Sequence, residues 1–341
     1  MKLRSVVLVP IIFLVGALLL SSPAISTAQS STPHKTRKSA ASAKRTSSKK
    51  RKKKKLSPRV RRIRQAFVAS TNLRPMAKQL LQDRTPAAYG GVEAYARRHA
   101  KEDAGALAWL VVAYAHIQDH DYAKAIDPLI RAKAYAGDLG EYVTYYLGTA
   151  YMQTGRSPEA ISTLKDFAQK YPDSLLVRDA DVVQANALLQ QGKAQEAVAL
   201  LEKDRQPVRV DVEWNLGRAY QAAGDNDKAI AIFRNIYLTM PLTGEADLAG
   251  AELKKLGTAT PAALGTLEER KTRAELLLKG KRYASAAEEY SDLLDQVSPA
   301  DRPNIQLALA SALQRSGRAK DARKVLESLQ DTTGEVNAQR L

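Results

Sequence analysis

The chain has 341 residues, 45% of them hydrophobic but only 6% aromatic, with no cysteine and a formal net charge of +17. Without cysteine there can be no disulfide, thiolate metal site, cysteine nucleophile or lipidated cysteine. The charge is confined to one end: 18 of the 53 Lys and Arg stand in residues 1–64, which hold no acid, leaving 35 bases against 36 acids in the remainder. A neutral body with one basic tail gives no ground to expect nucleic-acid binding by the folded part.

Met1–Arg4 is a short positive segment, Val6–Leu20 is an apolar run too short for a comfortable membrane span, and Ser26-Thr27-Ala28 puts small residues before Gln29. This order predicts a secretory signal peptide over 1–28 and a periplasmic or otherwise exported mature chain, with an uncleaved N-terminal anchor as the alternative. Residues 29–62 are mostly Ser, Thr, Ala, Lys and Arg, and include the run Lys49, Lys50, Arg51, Lys52, Lys53, Lys54 and Lys55. Like charges repel, and little apolar surface offsets the ordering entropy, so a disordered tail is expected. The run reads either as an electrostatic contact to an anionic cell-wall polymer or lipid surface, or as a solvated spacer.

Residues 63–105 look helical but fit no repeat, and are expected to cap the N-terminal end of a repeat array. Over 106–331 one spacing recurs. Its cleanest copies are Leu147-Gly148, Tyr151, Gly155, Ala160, Leu164, Pro172 and Leu216-Gly217, Tyr220, Gly224, Ala229, Phe233, Pro241. Small residues at Gly148 and Ala160 suit the crossing of two antiparallel helices, Gly155 and Gly224 suit the turn, and the prolines stop the second helix. Other copies are Ala113, His120, Ala125, Leu129; then Ala185, Gly192, Ala197, Leu201; then Leu309, Ala310, Gly317, Ala322, Leu326. A looser copy, Ala274, Gly280, Ala286, Tyr290, reads with one extra residue in its turn. An additional helix is expected near 245–256, ended by Gly257, and a short tail over 332–341. The fold class is therefore all-α, a tetratricopeptide-type helical solenoid.

No phosphate loop, nucleophile elbow or zinc helix occurs, so no catalytic, cofactor or metal site is expected. His116 and His120 are spaced like a metal pair, but His120 holds the turn position and need not share a helix face with His116. Glu268-Glu269 and Glu288-Glu289 read as solvated helix faces beside Lys and Arg. Tyr114, Tyr142, Tyr145, Tyr146 and Tyr151 cluster in the first repeats, either as packing between helices or as a groove that stacks on sugars or grips a peptide.

The stretch Leu139-Gly-Glu-Tyr-Val-Thr-Tyr-Tyr-Leu-Gly-Thr-Ala-Tyr151, followed by Ala160, Leu164, Phe167 and Tyr171-Pro-Asp-Ser-Leu-Leu-Val-Arg-Asp-Ala180, resembles the N-terminal superhelix of soluble lytic transglycosylases. Gly91-Val-Glu-Ala-Tyr-Ala96, Trp109 and Tyr114 add to the likeness, which covers about residues 88–330. The Tyr-Pro-x-Ser element also recurs in other envelope tetratricopeptide proteins, including outer-membrane assembly factors. The resemblance implies a helical ring or horseshoe that holds a separate lysozyme-like domain. That domain's Glu-Ser, Gly-Leu-Met-Gln and Ala-Tyr-Asn-Ala-Gly segments are absent here, and Glu327-Ser328 stands alone, so no catalytic residue carries over. Two functions are expected. One is an exported scaffold associated with peptidoglycan and the cell wall; the other is a stand-alone periplasmic adaptor that binds protein partners in its concave groove.

Overall fold

A computed structural model describes residues 71–203, 205–257 and 264–329, and the regular elements among them are all helices. The expected signal peptide, basic tail and C-terminal tail lie outside the described residues. In chain order come α1 (Leu73–Asp83), α2 (Pro86–Arg98), α3 (Asp103–Gln118), α4 (Tyr122–Lys133), α5 (Gly140–Gln153), α6 (Ser157–Leu164) and the single turn α7 (Phe167–Lys170). They are followed by α8 (Val177–Gln190), α9 (Ala194–Glu202), α10 (Val210–Ala222), α11 (Asn226–Thr239) and α12 (Gly244–Lys255). The last four are α13 (Leu267–Lys279), α14 (Tyr283–Leu293), α15 (Arg302–Arg315) and α16 (Ala319–Glu327). No helix among the described residues is long and apolar enough to cross a membrane.

One frame governs the turns of α3–α4, α5–α6, α8–α9, α10–α11, α13–α14 and α15–α16. Two residues past the first helix the backbone turns left-handed, at His120 (φ 59°), Gly155 (75°), Gly192 (71°), Gly224 (83°), Lys281 (62°) and Gly317 (85°). In the five pairs after α3–α4, the N–H one residue further closes the turn onto a carbonyl five residues back, as in Arg156 to Tyr151 (2.9 Å), Asp225 to Tyr220 (3.0 Å) and Arg282 to Leu277 (2.9 Å). This bond satisfies a carbonyl that the helix end would otherwise leave unpaired. The looser copy needs correcting: its turn residue is Lys281, not Gly280, and counted from Lys281 it has no extra residue. Gly280 serves a different contact, because a Cβ there would collide with Leu242. The α1–α2 pair also turns through a left-handed residue, Arg84 (φ 52°), one residue sooner after its first helix than the others do.

Within a hairpin, a small residue on the first helix faces a large one sixteen positions later. A Cβ on Gly148 would lie 2.5 Å from Leu164, and one on Gly217 2.5 Å from Phe233, so only glycine lets these helices approach as they do. Ala160 and Ala229 are fully buried.

The residues divide into two compact units, with the boundary passing through α4 and α5. In the first, α1, α2 and α3 pack on one another. Every residue of α3 from Gly105 to Ala115 is buried, as expected of a helix that is apolar all round. In the second, α8 to α12 share an apolar cluster that includes Leu188, Leu216, Phe233, Ile236 and Leu253. Helices α13 to α16 share another, with Leu277, Tyr290, Leu293, Leu309 and Leu313.

Candidate functional site

Of the side chains singled out from the sequence, Lys49, Lys50, Arg51, Lys52, Lys53, Lys54 and Lys55 fall outside the described residues. Tyr114, Tyr145, Tyr146 and Tyr151 are buried, at 5–8% exposure, and Tyr142 is half-buried. So little ring surface is open that these tyrosines act in packing; Tyr145 and Tyr146 meet edge to face at 5.2 Å. Burial pushes the Tyr114 phenol up to about 12 and raises that of Tyr145 as well. His116 stacks on Tyr89 (4.5 Å between centroids), while His120 lies beyond the end of α3, so the two imidazoles do not form a helical pair. Among the described residues, no three or more His, Asp or Glu are grouped to hold a metal.

Residue spacing does not reveal a polar row on the second unit, where α8, α10 and α12 pack side by side. At one end Arg209 joins Asp179 of α8 (2.5 Å) to Asp211 of α10 (2.6 Å). Burial pushes the Asp179 carboxyl above its ordinary value, and the Arg209 guanidinium opposes that shift. In the middle, Arg218 Nη1 donates to Asn186 Oδ1 on α8 (2.8 Å) and to Asn215 Oδ1 one turn earlier on α10 (3.2 Å). Each asparagine is itself fixed, since its Nδ2 donates to a carbonyl four residues back: Val182 (2.9 Å) for Asn186 and Asp211 (2.8 Å) for Asn215. At the far end Gln221 donates to Glu252 of α12 (3.2 Å), which also pairs with Lys255 (2.6 Å). The Lys255 ammonium holds the Glu252 carboxyl below its usual range. Asp179, Asp211 and Glu252 are thus spent as acceptors. What the row offers is ordered donors and acceptors for binding; Asp179, the acid that burial shifts upward, is held by Arg209.

A second polar centre lies where α13 meets α11, and it overturns the solvated-face reading of Glu289. Glu289 is only 4% exposed; it accepts from Arg270 Nε (2.7 Å), Arg273 Nη1 and the Tyr237 hydroxyl (3.1 Å). Arg273 lies over the Tyr237 ring, 3.8 Å from its centroid, and donates to the Tyr237 carbonyl (3.1 Å). Arg270 is 1% exposed, and its Nη1 has no partner among the described residues. Burial pushes the Tyr237 phenol up to about 12. Charges this enclosed hold helices together and are closed to a ligand. Glu268 and Glu269 do lie in solvent, with Glu269 completing a capping box with Thr266 at the start of α13.

The model of the type VII secretion (ESX-1) protein EccA1 N-terminal domain matches residues 89–264, more than half of the chain. A tetratricopeptide repeat model matches residues 271–335. No curated protein matches the chain. Among solved structures, a tetratricopeptide repeat protein from Parabacteroides merdae is 11% identical, covering 81% of this chain and 98% of its own, with a TM-score of 0.42. The C-terminal part of a repeat protein from Cytophaga hutchinsonii is 16% identical, covering 78% and 98%, with a TM-score of 0.43. The two family-model matches carry the tetratricopeptide half of the expected resemblance and lend nothing to its transglycosylase half. The repeat frame and the two model matches agree: the chain is an all-helical tetratricopeptide-type protein and belongs to the EccA1 N-terminal domain family.

Proposed function

We propose that this chain is a protein-binding adaptor that receives a segment of a partner along the α8–α10–α12 row. The observation that carries this reading is the row itself. Asn186, Asn215, Arg218 and Gln221 come from adjacent helices and are locked by hydrogen bonds before any ligand arrives. Such pre-organisation lowers the entropic cost of association. The family's namesake belongs to a type VII secretion system, which makes secretion-system proteins the first partners to try. The scaffold reading tied to peptidoglycan has the basic run 49–55 behind it and makes the opposite forecast.

A photo-crosslinking amino acid placed at Gln221 in the native cell should give a discrete protein adduct, and one at exposed Arg323 on α16 should not. Equal adducts from both positions, or none from Gln221, would count against the adaptor. Retention on purified sacculi that the seven-residue basic run controls would favour the scaffold.

A further inference from the structure

Helix α16 departs from the repeat frame on its outer face. In earlier hairpins the sixth residue past the left-handed turn is apolar: Ile161, Val198 and Ile230 all pack against the α8–α12 cluster. The seventh is Ser162, Ala199 or Ala231, and the third is Pro158, Gln195 or Asp227. Counted from Gly317, α16 sets Lys320, Arg323 and Lys324 at these three places, and all of them are exposed. Ala322, Val325 and Leu326 turn the other way, into the apolar cluster of α13 to α16. Exposed Arg315 and Arg318 flank the turn, so residues 315–324 carry five cations against one acid, Asp321.

Elsewhere the chain pairs such cations locally. Beside the turns an acid stands three residues away, as in Arg156–Glu159 (2.8 Å), Lys193–Glu196 (3.4 Å), Lys228–Asp225 (2.8 Å) and Arg318–Asp321 (2.8 Å). Among the described residues, Arg315, Lys320, Arg323 and Lys324 have no carboxylate within 4.0 Å; even Glu327, one turn beyond Arg323, makes no ion pair with it. This arrangement costs stability. Lys320 sits in the first turn of α16, where the helix dipole opposes a cation, and like charges follow it three and four residues on. Covering the end of a repeat array calls for polar residues, but not for residues of one sign.

A field of one sign, kept at a cost, fits an anionic partner. Lys320, Arg323 and Lys324 make no hydrogen bond among the described residues, so the face offers charge without a fixed donor geometry. That suits a fluid sheet of headgroups, which arranges itself around the cations, better than an anion gripped in a fixed fork. The run 49–55 adds seven cations far away in sequence, and an anionic surface receives both sets without any register between them.

We infer that the exposed face of α16, together with Arg315 and Arg318, is a contact for a membrane surface rich in anionic lipid. The apolar side of α16 is turned into the fold, so the contact is with headgroups and involves no insertion. The inference is independent of the adaptor reading. Lipid offers no protein to crosslink, so Arg323 stays silent in that comparison.

The chain has no cysteine, so Gln314→Cys gives a single labelling position beside the exposed face. Energy transfer from a fluorophore there to headgroup-labelled lipid reads the contact in the full chain, with residues 49–55 changed to Ser in every variant. Vesicles of phosphatidylcholine with about one-third phosphatidylglycerol should give transfer that high salt abolishes, and phosphatidylcholine alone should give little. Changing Arg315, Lys320, Arg323 and Lys324 together to Gln should raise the lipid midpoint on the order of hundredfold, each charge being worth about fivefold. Changing exposed Lys78, Lys101, Lys165 and Lys254 to Gln alters the net charge equally and should shift it far less. The face variant should also melt no lower than its parent, because it relieves repulsion. Equal transfer to both kinds of vesicle, equal shifts in the two quadruple variants, or a face variant that melts several degrees lower would overturn the inference. Tighter binding of oligoglutamate than of anionic vesicles, compared at equal charge, would assign the face to an acidic peptide and overturn the lipid.

Discussion

In α10–α11, the Phe233 ring fills the space that Gly217 leaves open, and fully buried Ala229 lies at the same crossing. In α13–α14, Ala274 and Tyr290 hold the corresponding positions, and Arg270, Arg273 and Glu289 are enclosed nearby. The first hairpin depends on shape, where a single methyl group is felt. The second also depends on charge balance: buried Glu289 answers two guanidiniums. Without it Arg273 has no carboxylate among the described residues, and Arg270 keeps only exposed Asp292 at 3.8 Å. The repeat frame fixes where helices cross while leaving open which force holds the crossing.

The sharpest way to break this contrast is Glu289→Ala. Two buried cations would lose their shared partner, and the loss should be about 3–5 kcal/mol in urea unfolding. A loss below about 1 kcal/mol would mean that water reaches the cluster and that the two hairpins differ less than their burial indicates. Gly217→Ala comes next, at roughly 1–3 kcal/mol, because the added methyl meets Phe233. Adding Phe233→Leu should recover much of the loss, since Ala185 with Leu201 and Ala310 with Leu326 show an alanine–leucine pair at the same spacing. A double variant that loses the sum of the Gly217→Ala and Phe233→Leu losses measured singly would mean that the two positions do not couple.

Turn substitutions should have smaller effects of opposite sign. Lys281→Gly removes a left-handed non-glycine residue and should stabilise by up to about 1 kcal/mol, after allowing for the extra freedom of an unfolded glycine. Gly224→Ala should cost about 1 kcal/mol. Thermal melts of the pair check both signs.

The smallest effect, absent at neutral pH, is alkaline. Tyr237 titrates at about 12 when folded, against 10.0 ordinarily, because burial disfavours its phenolate. The stability it contributes is therefore complete below pH 10 and is lost as pH rises from 10 toward 12. Tyr237→Phe should flatten part of that decline in denaturant titrations across this window. An unchanged slope would place the alkaline response in other tyrosines, among them Tyr114 and Tyr290, which burial also pushes up to about 12.

Residue spacing alone defines the helix pairs and most of their turns, since small residues at crossings and glycines past helix ends answer to local rules. It goes astray at 280–281, where a glycine near a helix end reads as the mark of a turn. Gly280 is small to admit Leu242, a neighbour supplied by tertiary packing, and Lys281 adopts the left-handed conformation instead. Glu289 reads as solvated because a charge beside other charges on a helix normally faces water. What encloses it is Tyr237, 52 residues earlier. The polar row is invisible for the same reason: Asn186 and Arg218 are 32 residues apart and carry no local pattern that links them. The tyrosines do show as a cluster, but composition cannot tell a buried ring from an open one.

Among the described residues, helix α12 packs on α10 and α11, and α13 packs on α11. The row α8–α10–α12 therefore extends over two interhelical spacings, about 20 Å at 8–10 Å each. An extended chain rises about 3.3 Å per residue, so it would cross that distance in about six residues. In the adaptor that we propose, the row acts as a ruler, suited to a short linear motif carried within a longer partner, in which a few side chains set specificity and the flanking sequence is free to vary.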